Sequence, residues 1–384
     1  MSLTLLGAGP SNGGGGGGGG GGSSFGDLSM DVETTTSSET FNLGGALLGA
    51  SINATIDWGD GSSDAITTNS DPALTHTYTD AGTYTINLTG TCTNLRFFYG
   101  GSKLKVKKVN KVDGDTLGMI RASTMFYGCQ NLTTIEPGCF DSCTGFNSSQ
   151  AFYYAFYDCR ALTAIPSGLF DNLPQLISNA FESTFYQCIA LTSIPTGLFA
   201  YNTLVTNFYN TFRNCQNLSS IPSGLFDNNT VVAANAFRFT FKDCISLTSI
   251  PSSLFDNNTL ASSYAFNETF KGCTSLTAIP ANLFDNNTAV STFGFLRAFE
   301  NCTSLATIPA NLFDNNINCN QFNNCFTNCA LTEASVDNFL VSLDDAGLSN
   351  GIADCNGGTS SAPSITGLDA ETNLTTRGWT ISTN

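Results

Sequence analysis

One histidine, two tryptophans and four methionines occur in 384 residues, and only 11% of the residues are charged. The single histidine, His76, excludes a multi-histidine metal centre and argues against histidine-based acid–base chemistry. Cations are scarce too: 14 Lys+Arg stand against 30 Asp+Glu, a formal net charge of −16, and none precedes Arg96. Neutralising phosphates takes a concentrated cationic surface, so no nucleic-acid partner is expected. Met1–Gly9 has a short Leu-containing start without the positive n-region of a secretory signal, and the chain reads as leaderless. No apolar run has the length of a transmembrane helix, and no membrane insertion is expected. What is abundant is phenylalanine, 30 residues of it, at a mean hydropathy of +0.03. That is ample for a core and excludes wholesale disorder. A structural or binding protein remains.

Residues 1–27 contain the ten-glycine run Gly13–Gly22 and read as a flexible tether. Residues 28–115 alternate apolar and polar side chains. Ile52–Trp58 and Thr83–Leu88 have the period of half-buried strands, and Gly59-Asp60-Gly61 between them marks a tight turn. Trp58-Gly-Asp-Gly-Ser62, Thr75-His76-Thr77-Tyr78 and Ala81-Gly82-Thr83-Tyr84, in that order and spacing, resemble the PKD-type β-sandwich. The resemblance makes His76 and Tyr78 sandwich residues. Residues 102–112 hold five of the seven lysines: Lys103, Lys105, Lys107, Lys108 and Lys111. They read as an exposed strand whose lysines discourage edge-to-edge pairing, or as a contact to an anionic neighbour.

A repeat fills residues 116–332. Cysteines stand at 129, 159, 188, 215, 244, 273, 302 and 329, each with Phe three residues before it, and from the second copy on with another Phe seven before. Leu, Ile-Pro and Leu-Phe-Asp-Asn follow most of them, as in Cys244–Asn258, CISLTSIPSSLFDNN. The −7, −3, 0 spacing predicts one stripe of a short helix, and the Leu-x-x-Ile segment a short strand ended by its proline. One such unit cannot bury its own face, but stacked units bury a continuous column, so the pattern predicts a solenoid of about eight coils, one per cysteine. The cysteines fit inward packing positions, with disulfides or metal as the lesser alternatives; C-x3-C at 139/143 and 325/329 lacks the companions of a zinc site. Asp171, Asp227, Asp256, Asp285 and Asp314 form a column read as turn chemistry rather than a calcium site. Residues 333–384 break the period. Helices near 336–343 and 370–377 and the strand Trp379–Ile381 read as a C-terminal cap.

The F-x3-F-x2-C-x2-L-x2-I-P core resembles the BspA-type leucine-rich repeat, found in bacterial surface proteins and in phage structural proteins. The fold expected is therefore multidomain: an all-β Ig-like (PKD) sandwich, then an α/β leucine-rich-repeat solenoid with a cap. No constellation for catalysis, metal or cofactor is legible, and no enzyme is expected. The resemblance implies a phage virion protein, a tail or head fibre on the particle surface. It would be bound to other virion proteins through its N-terminus and to a host glycan or protein through its repeats, with a homo-oligomer allowed. The alternatives are a bacterial cell-surface adhesin and an architectural capsid or tail decoration protein. Treated as a helix at ~100° per residue, the position two before each cysteine faces solvent. That row reads Tyr127, Tyr157, Tyr186, Arg213, Lys242, Lys271, Glu300 and Thr327, with Tyr153, Tyr154 and Tyr209 enriching it. Stacked tyrosines followed by stacked cations suit a receptor whose sugars carry acidic groups.

Overall fold

The computed structural model describes residues 26–43, 51–97 and 101–384; most of the glycine-rich tether lies outside them. The first unit is built from β1 (Leu28–Thr34), β2 (Glu39–Asn42), β3 (Ile52–Asp57), β4 (Ser63–Ile66), β5 (Thr75–Tyr78), β6 (Gly82–Cys92) and β7 (Val106–Val112). One sheet runs β4-β3-β6-β1-β7-β8, where β8 is Thr134–Ile135, and β2 pairs with β5 in a second. The β3–β4 hairpin turns at the Gly-Asp-Gly. Gly59 adopts φ +80°, and a Cβ there would come within 2.5 Å of the Thr85 carbonyl, so only glycine fits. His76 stacks on Trp58 with ring centroids 4.9 Å apart and bonds Asp60 through Nε2 at 2.7 Å, while the Tyr78 hydroxyl donates to the Trp58 carbonyl at 2.9 Å. Burial alone would raise the Asp60 carboxyl, but the Ser62 hydroxyl, the Ser62 N–H and His76 hold it down at about 2. These residues pin a turn to the sandwich face.

The lysine segment is not an edge. Residues Gly101–Lys105 form a 3-10 turn, and β7 lies between β1 and β8. Strand β8 belongs to the first repeat and pairs with β7 in parallel. Phe97 likewise stacks on Phe126 at 6.0 Å, so the sandwich and the repeats share one apolar core without a spacer.

After the short helix α1 (Gly114–Leu117), no helix occurs among the described residues until α2 (Glu333–Asp345). The segment before each cysteine, expected to be helical, is a chain of four-residue turns. Its burial reads in pairs, two in and two out: Ala151, Phe152, Ala155, Phe156 and Cys159 inside; Tyr153, Tyr154, Tyr157 and Asp158 half-exposed. Every fourth residue has a left-handed backbone, as at Asn235 (φ 58°), Phe239 (φ 59°) and Asp243 (φ 61°). No α-helix contains such residues in series. The hydrogen bonds explain the form. Arg238, Thr240, Lys242 and Cys244 donate their N–H groups three residues back, to Asn235, Phe237, Phe239 and Phe241. The intervening Asn235, Phe237, Phe239, Phe241 and Asp243 donate to carbonyls of the next unit, at Ser263, Ala265, Asn267, Thr269 and Lys271. These N–H groups thus alternate between partners within the unit and partners in the next one.

The expected strand face is vestigial by comparison. It survives as β8, as the bridges Ala164–Ser193 and Ala278–Thr307, and as single bonds such as Thr248 N–H to the Ser219 carbonyl. From Ile165-Pro166 on, proline after the Ile withholds the next donor, whereas in the first unit Glu136 follows Ile135 and donates to the Val109 carbonyl. The short pairs β9 (Ile177–Ser178) and β10 (Leu204–Val205) lie elsewhere on the stack.

Between the turns and the Leu/Ile segment the stacked units enclose three phenylalanine columns. Phe156, Phe185, Phe212, Phe241, Phe270 and Phe299 stack nearly parallel, with successive centroids 5.4–5.8 Å apart. Phe181, Phe208, Phe237 and Phe266 form a second column, and Phe199, Phe226 and Phe255 a third, tilted against it. All fourteen cysteines are buried and free. From Cys159 on, each thiol of the column donates to a carbonyl of the preceding unit, for example Cys244 Sγ to Phe212 at 3.2 Å and Cys273 to Phe241 at 3.3 Å. Burial pushes the Cys143 and Cys329 thiols up to about 12, so they are neutral packing groups. A Cys244→Ser variant keeps the donor but loses apolar contact. It is expected to cost about 1–2 kcal/mol, with a melting temperature insensitive to reductant. A fall of several degrees on adding reductant would instead reveal cross-links.

The C-terminal region does not interrupt the stack. Strands β11 (Gln321–Phe322), β12 (Ile352–Asp354) and β13 (Thr380–Ser382) pair in parallel, and Phe326 and Asn328 donate to the Asp354 and Asn356 carbonyls as earlier units do. Helices α2 and α3 (Ile365–Thr376), N-capped by Thr332 and Ser364, replace the Leu-Phe-Asp-Asn arm of two further units. The boundary expected at 332 is therefore a change of arm, not the end of the stack.

Candidate functional site

The two-in, two-out turns push the residue two before each cysteine to one outer face, joined in some units by those five and six before it, as at Tyr153 and Tyr154 or Arg238 and Phe239. That places the predicted row outward, although not by helical geometry. At its N-terminal end the row becomes a groove. Tyr127 and Tyr157 stack at 4.5 Å with planes 12° apart, Tyr186 meets Tyr157 edge-on at 4.9 Å, and Tyr154 closes on Tyr157 at 5.1 Å and on Tyr153 at 4.3 Å. With Arg96 and Thr124 these rings line a cavity of about 430 Å³. Desolvation, then neighbouring phenols and carboxylates, pushes Tyr153 and Tyr157 up to about 12. Both hydroxyls are neutral at physiological pH, able to donate as well as accept. Five of the expected tyrosines are thus brought together.

Tyr209 is not among them. It lies in the adjoining polar cavity of about 220 Å³, with Asn179, Glu182, Asn207, Asn235 and Arg238. Arg213 caps the aromatic groove: its guanidinium sits 5.1 Å from the Tyr186 ring centroid and 5.5 Å from that of Phe239. Phe239 in turn receives Arg238 at 4.7 Å and Lys242 at 5.3 Å.

The two lysines of the row are not open for an anionic ligand. Lys242 pairs with Glu268 at 2.6 Å, and Lys271 with Glu300 at 2.6 Å and Glu268 at 3.8 Å, while Arg297 approaches both carboxylates. These pairs are mostly shielded, with Lys242 15% and Glu268 12% exposed. Their charge is spent inside the stack. The lysines of residues 102–112 are engaged in the same way. Lys105 pairs with Glu39, Lys107 with Glu33 at 2.8 Å, Lys108 with Glu136 at 2.5 Å and Lys111 with Asp113 at 3.4 Å. Lys103 reaches 6.0 Å from the Tyr127 ring centroid instead. The anionic contact expected of this segment is met by the protein's own carboxylates.

Reasoning from the sequence passed over Arg96, Glu182, Asn207, Phe239, Arg238 and Tyr264. A signal for some existed: Phe239 and Arg238 fall outside the phenylalanine columns yet among the outward positions.

Comparison with known proteins adds the following. Residues 31–93, most of the first unit, match the family model of the PKD domain. No curated protein matches the chain. Solved structures similar to it include an internalin (inlF) from Listeria monocytogenes, at 10% identity over 74% of this chain and 88% of that one, TM-score 0.19. Another is TLR13 from a TLR13–ssRNA13 complex, at 13% identity over 72% and 50%, TM-score 0.23. Both are leucine-rich-repeat proteins, and with TM-scores this low neither bears on what this chain binds. What the chain carries with a matching family model is a PKD domain at residues 31–93, followed by its own stacked repeats.

Proposed function

We propose that this chain is a non-enzymatic, receptor-binding adhesin: a PKD sandwich that presents a capped leucine-rich-repeat solenoid of about eight coils, counted by its cysteines, whose outer turn face holds a surface glycan. In this reading it is displayed on a phage virion as a tail or head fibre, with the glycine-rich N-terminus as its attachment to other virion proteins. The observation that carries it is the tyrosine groove. Rings are normally spent in a core, and this stack already encloses three phenylalanine columns; five further tyrosines converge on a half-open cavity outside it. Aromatic rings with hydroxyl ends offer an apolar face and a hydrogen bond together, at little entropic cost, which suits a sugar ring.

The test is a Tyr157→Ala/Tyr186→Ala/Arg213→Ala variant, first shown by its melting temperature to be folded. Loss of an anchor cluster weakens binding by more than 2 kcal/mol, roughly thirtyfold, so adsorption to susceptible cells is expected to fall by at least that factor. Adsorption equal to wild type would place the receptor site elsewhere. Antibody to the chain should also decorate purified particles, and particles without it would remove the virion setting while leaving the binding face intact.

A further inference from the structure

The groove and the polar cavity adjoin: Tyr154, which lines the first, donates its N–H at 3.1 Å to the carbonyl of Glu182, which lines the second. We infer that together they bind an uncharged, hydroxyl-rich polysaccharide across at least two successive sugar units, one on the tyrosines and the next against Glu182 and Arg238. This rests on the adhesin reading above and sharpens it, because a row of stacked cations had pointed to acidic sugars.

Three observations favour a neutral ligand. Lys242 and Lys271, the lysines of the outer row, line neither cavity and are paired to Glu268 and Glu300, while Arg96, which lines the groove, donates from Nε to Asn94 Oδ1 at 2.8 Å. Arg238, the cation of the polar cavity, is held by Asn235 at 3.2 Å and Asn267 at 3.1 Å and packed on the Phe239 and Tyr264 rings. The cavity also contains a carboxylate of its own: Glu182 is half-buried, and desolvation raises its pKa despite the bond from Asn179 at 3.1 Å. An anion placed there would meet like charge in a poorly solvated site. Sugar hydroxyls fit instead. A carboxylate accepts from them, and Asn207, which donates to Asn179 at 2.8 Å, and Asn179, which donates to Glu182, form a chain of donors and acceptors.

The experiment is affinity electrophoresis of the full chain in gels containing dextran, mannan or galactomannan, beside polygalacturonate and hyaluronate. Oligomers of whichever neutral polymer retards the chain then compete in graded lengths. The expected result is retardation by a neutral polymer, insensitive to salt, with affinity rising between one and three sugar units. Glu182→Ala should weaken the longer oligomers roughly tenfold, the worth of one hydrogen bond to a charged group, and leave the monosaccharide unaffected; Glu182→Gln should restore part of the loss. Salt-sensitive retardation by the acidic polymers alone, no retardation by any neutral polymer, or a Glu182→Ala variant indistinguishable from wild type would each overturn the inference. If the tyrosine variant still loses adsorption to cells in any of those cases, the adhesin reading stands without it.

Discussion

Phe226→Ala is expected to lower the free energy of unfolding by about 3–5 kcal/mol, the range for removing a fully buried aromatic ring. Phe226 has no exposed surface and lies at the meeting of two columns. It stacks on Phe199 at 6.1 Å and Phe255 at 6.3 Å, and it tilts against Phe208 at 4.6 Å and Phe237 at 4.8 Å. The hole cannot close from the sides, because the units above and below are fixed in register by the backbone bonds of the turn ladder. Denaturant unfolding of the pure variant measures the loss. A cost below about 1 kcal/mol would mean that the units slide to fill the gap and that the ring columns are not what sets the stack.

The second large effect concerns an asparagine. In the Asp-Asn-Asn turns the first Asn is exposed and the second is wholly buried. Asn258 Nδ2 donates to the Phe226 carbonyl at 3.2 Å and the Asn229 carbonyl at 3.0 Å, both in the preceding unit, and Asn202, Asn229, Asn287 and Asn316 repeat the arrangement. Asn258→Ala strips the buried Asn229 carbonyl of this donor, and an unsatisfied buried acceptor together with the lost bond costs about 2–4 kcal/mol. Its neighbour is the control. Asn257 bonds the Asp227 carbonyl at 3.1 Å from the surface, where water replaces it, so Asn257→Ala should cost under about 1 kcal/mol. Equal losses at 257 and 258 would contradict the ladder.

The sandwich strands, the stacked repeat and its inward Phe, Cys, Leu and Ile positions were legible because period and burial follow directly from which residues are apolar. Ile52–Asp57 and Gly82–Cys92 lie where alternation placed them. The turn ladder was misread as a helix because Phe, Phe and Cys at −7, −3 and 0 satisfy both a 3.6-residue and a 4-residue period over so short a span. The row just before each cysteine held the distinction: Gly128, Asp158, Gln187, Asn214, Asp243, Gly272, Asn301 and Asn328 are mostly the residue types that tolerate a left-handed backbone, which each of them adopts. The buried Asn was hidden for another reason. Both Asn residues of the turn have the same local propensity, and only the neighbouring unit's carbonyls separate them. The tyrosine groove was half legible. An outward aromatic row could be read from spacing, but the pairing of Lys242 and Lys271 with Glu268 and Glu300 joins residues about one repeat apart, which no local pattern reports.

That the tyrosine groove is the binding face can be tested most directly by a tyrosine footprint. The chain is oxidised briefly with hydroxyl radicals, alone and after binding to envelopes of susceptible cells, and oxidation is read residue by residue by mass spectrometry. Tyr201, 57% exposed in a different cavity beside Asp171, is the internal control. Protection of Tyr153, Tyr154, Tyr157 and Tyr186 on binding, with Tyr201 oxidised as before, is the predicted result; unchanged oxidation of the four groove tyrosines on bound chain, or protection confined to Tyr201, would contradict it.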